Sequence, residues 1–501
     1  MRISNKILSL VFFLLMSNIA IGQPGTLYEY PIKGTDNIIR FDAMSNQYII
    51  YTSVSGNQNH FSRTDFNNTI DIRICDKLTV TDFEIIDRYV FFCGNDGSST
   101  GVIGWFHIDS LFSHLSKAYI DKTLYILGLQ TLDNIEVYHD SLGNICIAGY
   151  GIHNAYPHST MYRAFEAVGT PTTGMQYRTM DLYYSGWYEH VTDLTVTNNF
   201  VVYVSDTRNQ LCPGHVGLGI FLHVFPKYNQ FGSYPNYLHF YQLTTNSTLY
   251  PSYVLPIIDD PHSVDPDSTK PKPKIVYSTD DIVAVCTYRK DLDDSGWNPP
   301  APDESPACGS RLPSIKSFIT NIRFDVSTLV SNLSNQVPML SYDIAELPNY
   351  ELISIDDILY EPQTMRYVAL HSHETNTNVD KHAVTIFDFS TGIAAPFTES
   401  YYHNVYPTNS VWQPTNICLD NNMQYTIIGD RSSVSNVLWH NTVMPSVSPC
   451  ETMVNYPVTH QPLMPEKTEI NPAYPTNWLA LNFLPETVID NTEIHCHIIC
   501  N

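Results

Sequence analysis

A 501-residue chain with 26 Lys and Arg against 50 Asp and Glu carries a formal charge of −24, which excludes the basic face that nucleic-acid phosphates require. Only 15% of its residues are charged, whereas Tyr (34) and Phe (22) are abundant, a composition that favours strands. No long segment repeats its apolar residues at helical spacing, so an all-β fold is expected.

The chain starts MRISNKILSLVFFLLMSNIAIGQ, with Arg2 and Lys6 ahead of an apolar run from Ile7 to about Met16, and Ala20-Ile21-Gly22 offers a cleavage point before Gln23. This is the layout of an export signal. The run falls short of the ~20 residues a bilayer span needs. Residues 1–22 are therefore expected to be a signal peptide, and the mature chain to be extracellular, on the cell surface or periplasmic, without a membrane span.

Beyond the leader, one strand pattern recurs. VTDFEIIDRYVFFCG (80–94) and VTDLTVTNNFVVYVS (191–205) align without a gap: an apolar strand, a two-residue polar turn, then a second apolar strand. In chain order, first and second strands of this kind are expected at 38–42 and 47–51, 80–86 and 89–93, 135–138 and 145–148, 191–196 and 200–204, 274–277 and 282–286, 352–359 and 365–370, and 415–419 and 424–428. Third strands follow at 102–108, 161–165, 219–224, 319–326, 383–389 and 437–440. Fourth strands are expected at 71–75, 124–129, 180–184, 238–243, 340–344 and 400–405. The turns Ser45-Asn46, Asp87-Arg88, Asn198-Asn199 and Asn421-Asn422 suit hairpins.

Self-similarity at this period marks a repeat fold, and packing four-stranded sheets radially buries both faces of each. The expected architecture is a β-propeller of seven blades of about four antiparallel strands over 23–445. The Pro-rich residues 446–501 form an extension packed on it. TLYEYP (26–31) is expected to supply the missing strand of the seventh unit and close the ring. On the VTDF and VTDL repeats and the leader, the chain resembles exported bacterial β-propellers of unassigned role. That resemblance covers residues 35 to 445 at the level of pattern and brings no catalytic motif.

Of ten cysteines, Cys93, Cys146, Cys286 and Cys418 fall in or beside apolar strands and read as small core residues. Cys212, Cys308, Cys450, Cys496 and Cys500 are the better disulfide candidates in an exported chain. His371 and His373 alternate on one strand face and invite a metal, as do His495, Cys496 and His497, but a strand end beside solvent and a chain terminus without a second ligand cluster are the plainer readings, and no metal site is assigned. KDLDDSGWNPP (290–300) has a passing likeness to the Asp-box turn of sialidases, but Trp297 follows Gly296 directly, two positions too early, and there is no second copy.

Asp82 and Asp193 hold equivalent positions in the first strands, with Asp356 as a looser counterpart. Such acids at a channel mouth suit a hard cation such as calcium; equally, each can satisfy backbone amides in its own blade. Loop aromatics beside polar groups (Trp187, Tyr188, Trp297 and Trp412) suit a glycan or a protein partner. The Pro- and Asp-rich loops 255–274 and 290–313 are further candidates for binding. The function expected is a non-catalytic binding scaffold recognising a glycan or protein through loops on one face. The alternative is a carbohydrate hydrolase with its carboxylates at the channel mouth.

Overall fold

β1 (Thr26–Tyr30) is paired with strands from the far end of the chain, and what lies between is a series of antiparallel meanders. The computed structural model describes the strands named here and many of the turns between them; residues 1–25, 255–273, 292–313, 324–338 and 442–450 are among those outside the description. All the secondary structure described is strand, apart from one helical turn at Ile108–Leu111.

The first meander is β2 (Asp36–Asp42), β3 (Gln47–Val54), β4 (Gln58–Thr64) and β5 (Thr69–Ile74). The second is β6 (Thr79–Ile86), β7 (Tyr89–Asn95), β8 (Gly101–His107) and β9 (Lys117–Asp121). The third is β10 (Asn134–His139), β11 (Ile145–Tyr156), β12 (Ser159–Thr170) and β13 (Gly174–Asp181). The fourth is β14 (Tyr188–Val196), β15 (Phe200–Cys212), β16 (His215–Pro226) and β17 (Tyr237–Asn246), with β18 (Pro251–Val254) against the end of β17. The fifth is β19 (Lys274–Tyr277), β20 (Ile282–Asp291), β21 (Ser314–Arg323) and β22 (Met339–Ile344). The sixth is β23 (Tyr350–Glu361), β24 (Arg366–Thr375), β25 (Asp380–Asp388) and β26 (Thr398–Asn404). The seventh, β27 (Trp412–Leu419), β28 (Tyr425–Arg431) and β29 (Ser435–Asn441), is continued by β1, which pairs with β29 through Thr26↔His440 to Tyr30↔Asn436.

Two strands lie elsewhere than their patterns suggest. The fourth strand of the second meander is KAYID (117–121), not 124–129. Its apolar face is only Ala118 and Ile120, both buried, which makes a weak pattern. The fourth strand of the third meander starts at Gly174, ahead of the 180–184 expected, because its register is set by a tight turn from β12 (Thr170↔Gly174).

The C-terminal segment runs back around the meanders as an outer strand. β30 (Glu451–Pro472) pairs first with β26, then β22, then β17, joining three meanders into one 14-stranded sheet. β31 (Leu479–Ala480) follows on β13, β32 (Leu484–Thr487) on β9 and β33 (Asp490–Ile494) on β5, and β34 (His497–Cys500) ends on the free side of β1. Prolines are tolerated along β30 because an outermost strand needs donors on one side only. Between β31 and β32, buried Leu481 joins the seam of the second and third meanders, where Phe483 meets Trp105 edge-on.

The core lies between sheets. Ile49, Tyr51 and Phe61 of the first meander pack on Phe83, Phe92 and Phe106 of the second. Phe91, Cys93 and Ile103 of the second pack on Ile135, Ile147 and Phe165 of the third, and Cys146, Ala148 and Tyr162 of the third on Leu194, Val201 and Tyr203 of the fourth. Tyr48 and Ile50 face the other way from Ile49 and Tyr51 and pack, with Ile39, on Cys418 and Ile428 of the seventh. Strands buried on both faces need continuous apolar runs such as YVFFC, because alternate side chains serve opposite seams. Among the first strands, β2 touches β6, β6 touches β10, β10 touches β14, β14 touches β19, β19 touches β23, β23 touches β27 and β27 touches β2.

The hairpin between β6 and β7 turns through Asp87 and Arg88, both at positive φ (48° and 65°), as a two-residue turn of this hand requires. Arg88 is held there by Asp109 (2.8 Å from Nε), and its carbonyl accepts from the Ile108 amide at 2.9 Å. Gly151 is one position where close approach demands glycine: a Cβ there would lie 1.9 Å from the carbonyl oxygen of Thr131.

Candidate functional site

A cavity of about 810 Å³ lies where the first strands converge, lined by residues of β2, β6, β10, β14, β19, β23 and β27. The repeated Thr-Asp pair shapes its wall. In β6 and β14 the pairing register slips at this pair, between Val80 and Asp82 and between Val191 and Asp193, so Thr81 and Thr192 sit at a bulge. The bulged hydroxyls donate to carbonyls: Thr81 Oγ1 to Leu132 (2.5 Å) and Cys93 (3.3 Å), and Thr192 Oγ1 to Val204 (3.4 Å). The bulge turns the following Asp toward the next meander. Asp82 accepts the amide of Ile135 in β10 at 3.1 Å, and Asp193 accepts that of Ile275 in β19 at 3.0 Å.

In the sixth meander the same slip falls between Ile355 and Asp357. Asp357, not Asp356, therefore stands where Asp82 and Asp193 do, and it accepts the Ile417 amide of β27 at 3.0 Å. Asp356 occupies the bulge position; its side chain lies outside the described residues. Three carboxylates on alternate meanders thus each tie down the first strand of the next. Asn134 donates to Asp193 at 2.9 Å, and Arg40 of β2 donates to Asp82 at 2.9 Å, extending the joins to further seams.

Around Asp82 the site becomes charged. Arg40 also donates to Glu84 at 2.8 Å, and Glu136 lines the cavity beside them. Burial pushes the Asp82 carboxyl up to about 7; Arg40 opposes this and Glu84 reinforces it. Burial, reinforced by Glu84, holds Glu136 well above the carboxylate range, with Arg40 too far committed to reverse it. Asp193 is raised by burial against the pull of Lys274 and the Ile275 amide. Burial alone would lower Arg40, but Glu84, Asp82 and Asp357 together raise it. One guanidinium among three acids leaves a proton on the cluster near neutral pH.

Arg40, Glu84, Glu136 and Tyr150 were not among the sequence-based candidates. For the first three the signal was a charge inside an otherwise apolar first strand, in IIRF, DFEII and NIEVY. Trp187 and Trp297 lie outside the described residues, as do the side chains of Tyr188 and Trp412 at the starts of β14 and β27. Loops 255–273 and 292–313 are likewise outside. Cys93, Cys146 and Cys418 are free and buried; no disulfide occurs among the described residues, and the side chains of Cys212, Cys308, Cys450, Cys496 and Cys500 are not among them. Among the described residues no group of three or more His, Cys, Asp and Glu is placed to hold a metal ion. The side chains of His371 and His373 in β24 are also outside the description. No helix among the described residues is long and apolar enough to cross a membrane. No protein-family model, curated protein or solved structure matches the chain.

Proposed function

We propose that the chain is an exported β-propeller of seven blades, a non-catalytic scaffold that binds a glycan or a protein through loops on one face. The propeller reading is supported by the unbroken series of contacts from β2 round to β27 and back to β2, and by the outer strand that passes every meander. The observation that carries the binding reading is the use made of the repeated acids. Asp82, Asp193 and Asp357 each commit one carboxylate oxygen to a main-chain amide of the neighbouring sheet, which is a structural task and not acid–base chemistry.

The test is incubation of the mature chain with a panel of polysaccharides and mucin glycans, scoring retention and released sugars separately. Retention without release is expected, and W187A, W297A and W412A should each weaken it at least threefold. The hydrolase reading has one observation in its favour: Glu136, whose carboxyl burial and the neighbouring Glu84 push upward, has the character of a general acid. Sugar release that E136Q abolishes would replace the scaffold reading with that one.

A further inference from the structure

Two polar groups on the cavity wall make no hydrogen bond to another described residue. Tyr150 is 3% exposed, and its ring meets those of Tyr162 and Tyr203 at centroid distances of 6.1 and 6.3 Å. Its side chain borders the cavity, and its hydroxyl has no hydrogen-bond partner among the described residues. Glu136 borders the same space and also lacks a hydrogen bond to the described residues. The two are close by register: Tyr150 stands opposite Asn134, and Glu136 is two positions further along the same face of β10.

The charge on the wall is one-sided. Asp82, Glu84, Asp133, Glu136, Asp193 and Asp357 line the cavity against Arg40 and Lys274, and Arg40 is already committed to Asp82 and Glu84. We propose that this cavity binds a small organic cation, a primary amine whose ammonium group lies against Glu136 and Tyr150 Oη and whose carbon body packs on the tyrosine rings. An ammonium supplies three donors to acceptors that have none, and the face of Tyr150 favours a cation with an apolar stem. The volume is that of a small-molecule site. A bare divalent ion fits poorly, because it needs six or more oxygens and no acid cluster among the described residues is arranged to give them.

The groups that face Glu136 are Glu84 and Asp82 from β6, Arg40 from β2 and Asp193 from β14. A cation seated beside Glu136 favours its ionised form, so uptake is expected to be linked to proton release. The proposal is independent of the scaffold reading, and either can fail without the other.

The test is calorimetric titration of the mature chain with putrescine, spermidine and arginine at pH 7, in two buffers of different ionisation enthalpy, with sorbitol and citrate as neutral and anionic controls. Saturable uptake of at least one amine is expected, one per chain, with a heat that differs between buffers as proton release requires. E136Q should weaken it at least tenfold and remove the buffer dependence, while Y150F weakens it severalfold and keeps the buffer dependence. Melting curves establish that both variants fold; if E136Q does not, E136D and Y150F carry the test. No saturable uptake of any of the three amines would overturn the proposal, as would equal affinity in wild type and E136Q, or equal uptake of sorbitol or citrate. Glycan retention with no amine uptake would overturn this site and leave the scaffold reading standing.

Discussion

β6 and β14 begin alike, VTDF and VTDL, and their bulges, threonine hydroxyls and aspartates do the same work in both. They diverge at the second residue after the aspartate. In β14 that position is Thr195, whose hydroxyl accepts the Tyr277 amide of β19 at 3.1 Å, a second stitch across the same seam as Asp193. In β6 it is Glu84, which shares Arg40 with Asp82. The repeated pair is thus a joint between sheets, and what varies after it decides whether the joint is only mechanical or becomes an electrostatic site. Asp193 is bonded by Asn134 and feels Lys274 and, more weakly, Asp357; Asp82 is paired with a guanidinium that it shares with Glu84.

The sharpest way to break that distinction is to remove the cation from each side. Replacing Arg40 leaves Asp82, Glu84 and Glu136 facing one another with no counter-charge, so R40M should cost about 3 kcal/mol at pH 8, discounted from the fully buried case because Arg40 is 26% exposed. Replacing Lys274, whose pull on Asp193 is Coulombic, should cost about 1 kcal/mol or less. Urea unfolding of R40M and K274M at pH 8 measures both. Equal losses would mean that the two aspartate joints are electrically equivalent and that the cluster around Asp82 has no special standing.

A smaller effect separates the joints by pH. Asp82, Glu136 and Asp193 all have carboxyl pKa values raised in the folded chain, so the folded state holds protons that the unfolded chain has released. The stability they contribute is present below about pH 4 and is lost as pH rises through the folded value, about 7 for Asp82. Asp109, lowered by its hydrogen bond from Arg88, acts in the opposite sense but is largely exposed and counts for little. Unfolding free energy should therefore fall between pH 4 and 7. D82N should flatten that fall more than D193N, because the Asp82 carboxyl answers to Glu84 as well as to burial. A stability that rises steadily over the same window would contradict the assignment of the extra proton.

The meander pattern was legible because both-face burial writes continuous apolar runs, and hairpin turns such as Asp87-Arg88 punctuate them. KAYID was not, since two small buried positions make too weak a signal. Nor was the outer path of 451–472, where Pro457, Pro462, Pro465 and Pro472 argue against a strand unless it is already known to lie outermost. At the site, Asp82 and Asp193 stood out because the whole motif repeats, whereas Asp357 hid one residue from where alignment by eye placed it. A bulge adds a residue without changing the pattern around it, and only the pairing register tells Asp356 from Asp357. Tyr150 was hidden for another reason: it is ordinary in its own strand, and only the convergence of the first strands puts it and Glu136 around one space.

The finest test of the shared joint lies in its threonines. Thr81 Oγ1 reaches Leu132 O at 2.5 Å, across the seam into the segment leading to β10, as well as Cys93 O in its own sheet. Thr192 Oγ1 reaches Val204 O within its own sheet, at 3.4 Å. Valine keeps the branched shape that suits a strand and removes only the hydroxyl. T81V should then cost about 1 kcal/mol and T192V about 0.3 kcal/mol, since a well-formed buried hydrogen bond is worth more than a long one. The difference should be larger in unfolding monitored at the seam of the second and third meanders, through the fluorescence of Trp105, than in the global transition. If T192V proves as costly as T81V, the hydroxyls stabilise the bulge itself and not the seam, and the joint between sheets rests on the aspartates alone.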